Sequence, residues 1–270
     1  MRRRPGSATL AAAVETYSLI QSELVAVIDR VALEEASVVA PSVGKADCAR
    51  IARELFGVIV SGIPLEDARA FRAALLAKNF ATEIVADRDL PRLPDGRFFT
   101  KIDTGADGDT FACGDALGRR EVVAADDVLL LAGGFLQRLR SRSTPRDMHV
   151  PYDRHNVAFD EDGEPALEYR SKLIMAREFR FEIFTKRPPY RLRCVLATDG
   201  LLAWNGVLLR VEKPDAIRAF MLTWRRLAPR PHRNLGLTVS DENFSYPSPR
   251  AFENEIRWRF HQLKQQAARR

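Results

Sequence analysis

The chain lacks most of what would announce a chemistry. It has three cysteines, Cys48, Cys113 and Cys194, far apart in the sequence. An odd, scattered set supports neither a disulfide framework nor a thiolate metal knuckle, and it fits a reducing compartment with the thiols as small buried apolar groups. No apolar run approaches the ~20 residues needed to cross a bilayer; the most apolar stretch, Val128 to Ala132, has strand length. Arg2, Arg3 and Arg4 followed by Ala8 to Val14 imitate the start of a signal peptide, but Glu15 interrupts the apolar run and no small-x-small cleavage site follows, so none is expected. No glycine-rich dinucleotide fingerprint, phosphate loop, nucleophile elbow or HExxH pair is present. Gly133-Gly134 follows a strand without such a pattern and reads as a turn.

What is there is ordinary for a globular protein: 46% apolar and 29% charged residues over 270 positions, enough for one large domain or two small ones. The net charge of +6 is unevenly spread. From Arg170 to Arg233 the arginines and lysines far outnumber the acids, which are Glu178, Glu182, Asp199, Glu212 and Asp215, while the N-terminal half is close to balanced. Such asymmetry suits an acidic or polyanionic partner.

Along the chain, Leu10, Val14, Tyr17, Leu24, Ile28 and Val31 recur at spacings of three and four, with Gln21 in the one polar slot. This predicts a helix over 10–31 whose stripe is covered by its own domain or by a second copy. Ala46 to Leu55 reads as a second helix. Phe56 to Ser61 is a β-branched run of strand length; Gly62 turns the chain, Pro64, Glu66 and Asp67 open a helix, Asn79 stops it in a left-handed conformation, and Thr82 to Ala86 is a second strand. Together these make a β-α-β module. Short strands at Phe98 to Asp103, Thr110 to Cys113, Glu121 to Ala124 and Val128 to Ala132, spaced by Gly and Asp turns, predict a mostly antiparallel sheet or partial barrel. The fold class is therefore α+β: a helical segment over 1–55, the module over 56–96, sheet over 97–137, a polar loop over 138–168, and sheet with two helices over 169–270. The helices are Asp215 to Leu227, after Pro214, and one capped by Ser248 with Pro249 at its first position.

Phe179, Phe181 and Ile183 alternate with Arg180 and Glu182, and Leu192, Cys194 and Leu196 alternate with Arg191, Arg193 and Val195. A hairpin with one buried face places Arg180, Arg191 and Arg193 together on the other, and guanidinium forks suit phosphate or carboxylate. These three are the candidate site for an anion or an acidic partner. A second cluster, Asp147, His149, Asp153, His155, Asp160, Glu161 and Asp162, carries metal-ligating types but sits in a loop without the scaffold a site needs, so no metal and no cofactor is expected. His232 and His261 have no neighbour that makes them catalytic. Trp258 lies opposite the apolar face of the last helix and packs under its own chain or anchors an interface.

The β-α-β unit, Asp115-Ala116-Leu117-Gly118-Arg119, Asp126-Asp127-Val128-Leu129-Leu130-Leu131-Ala132-Gly133, and Tyr246-Pro247-Ser248 leading to Phe252, Glu255 and Trp258 resemble a group of uncharacterised bacterial proteins of unknown function. The resemblance covers about half the chain and implies no activity. Short strands followed by the Asp215 to Leu227 helix are also similar in pattern to the pleckstrin-homology-like barrel, a fold that mostly binds partners. The expected function is that of a non-enzymatic binding or regulatory protein of the bacterial cytoplasm, with a protein or acidic partner. The alternatives are an enzyme with a dispersed active site and a nucleic-acid binder using the basic C-terminal half.

Overall fold

Tyr17–Gln21 is a strand, not part of a helix. In the structure, a computed structural model describing residues 15–24, 28–105, 108–145, 169–186, 190–197, 200–227, 232–239 and 244–269, this β1 lies in the middle of a three-stranded sheet. Leu19 packs with one core cluster and Ile20 with another, so both faces of the strand are buried. A strand covered on both faces needs no period of its own, and spacings of three and four across it carry no helical meaning. The helix that follows, α1 (Arg30–Ser37), begins only after Asp29, whose side chain accepts from Ala32 N. The helix expected over 10–31 is thereby corrected at Tyr17–Gln21; Leu10 and Val14 of its stripe lie outside the described residues.

The chain then forms α2 (Lys45–Glu54), β2 (Val58–Ile63), α3 (Leu65–Leu76) and β3 (Thr82–Ala86). Pro64 is the N-cap of α3, Glu66 and Asp67 fill its first turn, and Asn79 turns the chain at φ 65°. β2 and β3 both pair antiparallel with β1, in the order β2-β1-β3. The β-α-β module is therefore split by the strand that precedes it.

After Asp95 the chain enters a second compact unit, Gly96–Tyr246; the first unit comprises Met1–Asp95 and Pro247–Arg270. The second unit contains β4 (Gly96–Phe98), β5 (Lys101–Thr104), β6 (Thr110–Gly114), β7 (Arg120–Ala124), a 3-10 turn at Ala125–Asp127, β8 (Val128–Pro145), β9 (Tyr169–Thr185), β10 (Arg191–Leu196), β11 (Leu202–Trp204), β12 (Val207–Leu209), α4 (Pro214–Leu227), β13 (His232–Arg233), α5 (Leu235–Thr238) and β14 (Ser245–Tyr246). The closing helix α6 (Pro249–Ala268) belongs to the first unit. One sheet has the order β13-β8-β9-β10-β4, with β14 also on β8, and the other β12-β11-β5-β6-β7. The sheets are mixed: β4, β13 and β14 join parallel to their neighbours, as does β11 to β5. The protein is α+β, and its described strands close no barrel.

Residues 138–145, expected in a loop, instead continue β8, paired through Pro145↔Tyr169 with β9. The strand read over Phe98 to Asp103 divides at Phe99 and Thr100, where the chain passes from one sheet to the other. Between the sheets, Ile217, Phe220 and Trp224 of α4 recur at helical spacing and meet Phe111, Phe179 and Phe181 in one core; the Phe111–Trp224 and Phe181–Phe220 ring centroids are 4.5 and 4.9 Å apart.

Gly133 and Gly134 are not a turn. They lie inside β8, where a Cβ on Gly134 would sit 2.8 Å from Tyr246, and a Cβ on Gly236 would sit 2.1 Å from the Gly133 carbonyl oxygen. The glycines permit that approach. Between β13 and β14 the Asn234 side chain takes the place of a backbone partner: its Oδ1 accepts from Gly133 N at 3.0 Å, and its Nδ2 donates to Gly133 O at 3.1 Å and to Tyr246 Oη at 2.8 Å.

In the first unit, α1, α2 and α3 contribute to one core around Leu19, Leu33, Ile51 and Phe71. A second cluster joins Ile20, Val58, Val85 and Leu90 to Trp258 of α6. Ser248 caps α6 by accepting from Ala251 N. Trp258 is buried; its indole N–H donates to Gln21 O at 2.6 Å over Gly57, whose φ of 81° and closeness to the Trp258 side chain leave no room for a Cβ. Among the described residues no helix is long and apolar enough to cross a membrane.

Candidate functional site

The alternation that grouped Arg180, Arg191 and Arg193 holds: β9 and β10 pair antiparallel, with Arg193↔Glu182 and Val195↔Arg180. The expected open face does not. Arg180 is 7% exposed, Arg191 5% and Glu182 0%. On the same side of the sheet, Leu130, Ala132 and Leu136 of β8, opposite Phe184, Glu182 and Glu178, are also buried. Period two assigns a side chain to a face; it does not say that the face meets water. Arginines on a covered face need counter-charges. Arg191 donates through Nε and Nη2 to the two Glu182 carboxylate oxygens at 2.7 and 2.8 Å, and Arg193 Nε lies 3.2 Å from the same carboxylate. Arg180 Nε donates to Glu178 Oε1 at 2.7 Å, and Arg138 Nη1 reaches Glu178 Oε2 at 3.2 Å. The ribbon is an ion-paired layer.

Accessible positive charge gathers instead at a cleft of about 540 Å³ in the second unit. β4 is the last strand of one sheet and β7 the last of the other. From β4 come Arg97 and Phe98, the latter 60% exposed; from β6 and the β6–β7 turn come Cys113, Asp115 and Arg119; from β7 come Arg120 and Glu121. Arg97 Nη1 lies 3.5 Å from Glu121 Oε2, and its guanidinium sits 5.3 Å from the centre of the Tyr190 ring. Arg193 lies 5.4 Å over Phe98, which joins the buried layer to the cleft wall.

The β6–β7 turn sets this rim. Asp115 Oδ1 accepts from Leu117 N and Arg119 N, both at 2.9 Å, and Gly118 takes φ 79°. Arg119 Nε then donates to Asp115 Oδ2 at 2.6 Å. Burial alone would raise the Asp115 carboxyl, but the Arg119 side chain and the two backbone donors outweigh it and hold its pKa low. Arg120, exposed at the head of β7, has no ion-pair or hydrogen-bond partner among the described residues.

The groups beneath are chemically quiet. Burial, with the Glu121 and Asp103 charges, pushes the Cys113 thiol up to about 12. Burial, with the hydrogen bond to Glu121 and its charge, pushes Tyr190 to about 12. Burial also raises the Cys194 thiol. All three cysteines are free and buried. At neutral pH neither thiol is a nucleophile.

The remaining sequence candidates lie elsewhere. Asp147, His149, Asp153, His155, Asp160, Glu161 and Asp162 fall outside the described residues; among the described residues no group of His, Cys, Asp and Glu could hold a metal ion. His261 Nε2 lies 3.2 Å from Glu83 Oε1 and 2.9 Å from Gln265 Nε2, within the first unit. Arg97, Arg119 and Arg120 were not singled out from the sequence. Arg119 stood in the turn motif, but nothing in sequence places Arg97 beside it. Comparisons of the chain with protein-family models, curated proteins and solved structures find no match.

Proposed function

We propose that this chain is a non-enzymatic binding protein whose partner is an acidic protein surface, received at the cleft between β4 and β7. The observation that carries this is the rim itself: Arg97, Arg119 and Arg120 surround an exposed Phe98, against the carboxylates of Asp115 and Glu121 alone. One net positive charge remains over an apolar wall, which suits a carboxylate-bearing partner with an apolar neighbour. Arg180, Arg191 and Arg193 enter this reading as support, with Arg193 stacked behind Phe98. Residence in the bacterial cytoplasm, consistent with three buried thiols, and kinship with the uncharacterised bacterial group belong to the same proposal.

The test uses poly-L-glutamate as probe. Binding to the full chain should weaken as salt is raised, be lost in Arg97→Glu with Arg120→Glu, and be unchanged in Lys264→Glu, a charge reversal outside the cleft. Equal loss in Lys264→Glu, or retention in the double reversal, would overturn the assignment.

A further inference from the structure

We infer that β7 receives an extended acidic segment of a partner protein as an added strand, with its carboxylate at Arg120. This rests on the cleft reading above and specifies how the partner is held. Among the described residues β6 is the one partner of β7. The hydrogen bonds at the two ends of that pairing, Asp115 N to Arg119 O at 2.9 Å and Ala125 N to Asp109 O at 2.8 Å, set its parity. In an antiparallel pair alternate residues turn their backbone groups to the neighbour. Glu121 and Val123 therefore face β6, and Arg120, Val122 and Ala124 direct N–H and C=O away from the sheet.

Those three residues are also exposed; Val122 is 61% so. Exposed edges in stable proteins are usually blunted, and this one carries charge only at its head. A strand added here lays alternate side chains beside Arg120 and Val122. The complementary sequence has an acid and an apolar, β-branched residue two positions apart, the acid first if the strand adds parallel to β7 and second if it adds antiparallel. The positive excess of the rim, from Arg97, Arg119 and Arg120 against Asp115 and Glu121, selects the acidic strand over a neutral one.

The experiment is selection of displayed peptides of about a dozen residues on the full chain, followed by titration of the best synthetic peptide. The expected result is a consensus with an acid and an apolar residue two positions apart, in either order. Its affinity should fall at least about tenfold in Arg97→Glu with Arg120→Glu, and as much in Val122→Pro, which removes an outward N–H at a position where an edge strand tolerates proline. A peptide N-methylated at alternate amides should lose the same, which decides the matter without a variant should Val122→Pro misfold. If no peptide is enriched, or if Val122→Pro and N-methylation leave affinity intact, strand addition is wrong. Polyglutamate binding that survives Val122→Pro but not the arginine reversal would then keep the cleft reading while removing this one. Concentration-dependent dimerisation abolished by Val122→Pro would assign the edge to a second copy and overturn the proposal.

Discussion

Replacing Glu182 by Gln should be among the most damaging conservative changes in the second unit. The side chain is fully buried and its carboxylate serves Arg191 through two hydrogen bonds and Arg193 through a third contact. Gln preserves volume and one acceptor but removes the counter-charge from beside Arg191, itself buried. Breaking a buried ion pair from one side costs about 3–5 kcal/mol, because the remaining charge stays in low dielectric. At roughly 2–4 °C per kcal/mol for a unit of this size, the melting temperature should fall by about 6–20 °C. The companion variant, Glu182→Leu with Arg191→Met, removes both charges and fills similar volume, so it should lie within about 2 kcal/mol of the native protein. Urea unfolding followed by tryptophan fluorescence is suitable, since Trp204 and Trp224 both pack in or against the core between the sheets. A loss under about 1 kcal/mol for Glu182→Gln would mean that the layer is hydrated rather than buried.

Asn234→Ala should cost about 2–4 kcal/mol in the same assay, because it strands the Gly133 N–H and C=O inside the structure; a cost below 1 would show that water replaces the amide. Gly57→Ala, with φ 81° and a Cβ that would fall 2.3 Å from the Trp258 Cβ, should loosen α6 and shift the Trp258 fluorescence to the red; an unchanged spectrum and stability would contradict the packing. Cys113 and Tyr190 have folded pKa values raised to about 12 from 9.0 and 10.0. Their contribution is fully present below pH 9 and drains away as pH rises from 9 towards 12, when the unfolded chain ionises first. The urea midpoint should fall over that range, less steeply in Cys113→Ala; a flat profile, or rapid labelling of the native thiols at pH 8, would refute it.

Local chemistry was legible wherever a residue's own backbone set the structure. Asn79, Pro64, Ser248 and the Asp115 turn all behave as their side chains require. Pattern failed where both sides of an element are covered. Tyr17 to Gln21 is buried on both faces and so has no polar phase to betray a strand. At Arg180 and Arg191 the period-two pattern gives the right face, but a charged phase does not mean an exposed one: Glu178 and Glu182 neutralise it inside a covered layer. Arg138 to Pro145 escaped as a strand because its partner, β9, begins 24 positions further on, at Tyr169. The cleft was illegible for a related reason: Arg97 and Arg120 meet through two different sheets, and no spacing along one chain encodes that.

The lock between Gln21 and Trp258 spans 237 positions, and this bears on how the protein is made. During synthesis β1, β2, β3 and the three helices beside them emerge early, yet the surface formed by Ile20, Val58, Val85 and Leu90 waits for α6. While the whole of Gly96–Tyr246 is being translated, at about 5–20 residues per second, that apolar surface has no native cover. A ribosome that stalls anywhere in the second unit therefore releases a chain that exposes it, a form that chaperones and proteases can tell from the finished molecule. Trp258 thus ties the cover of an early-forming surface to a residue made last among those that touch it.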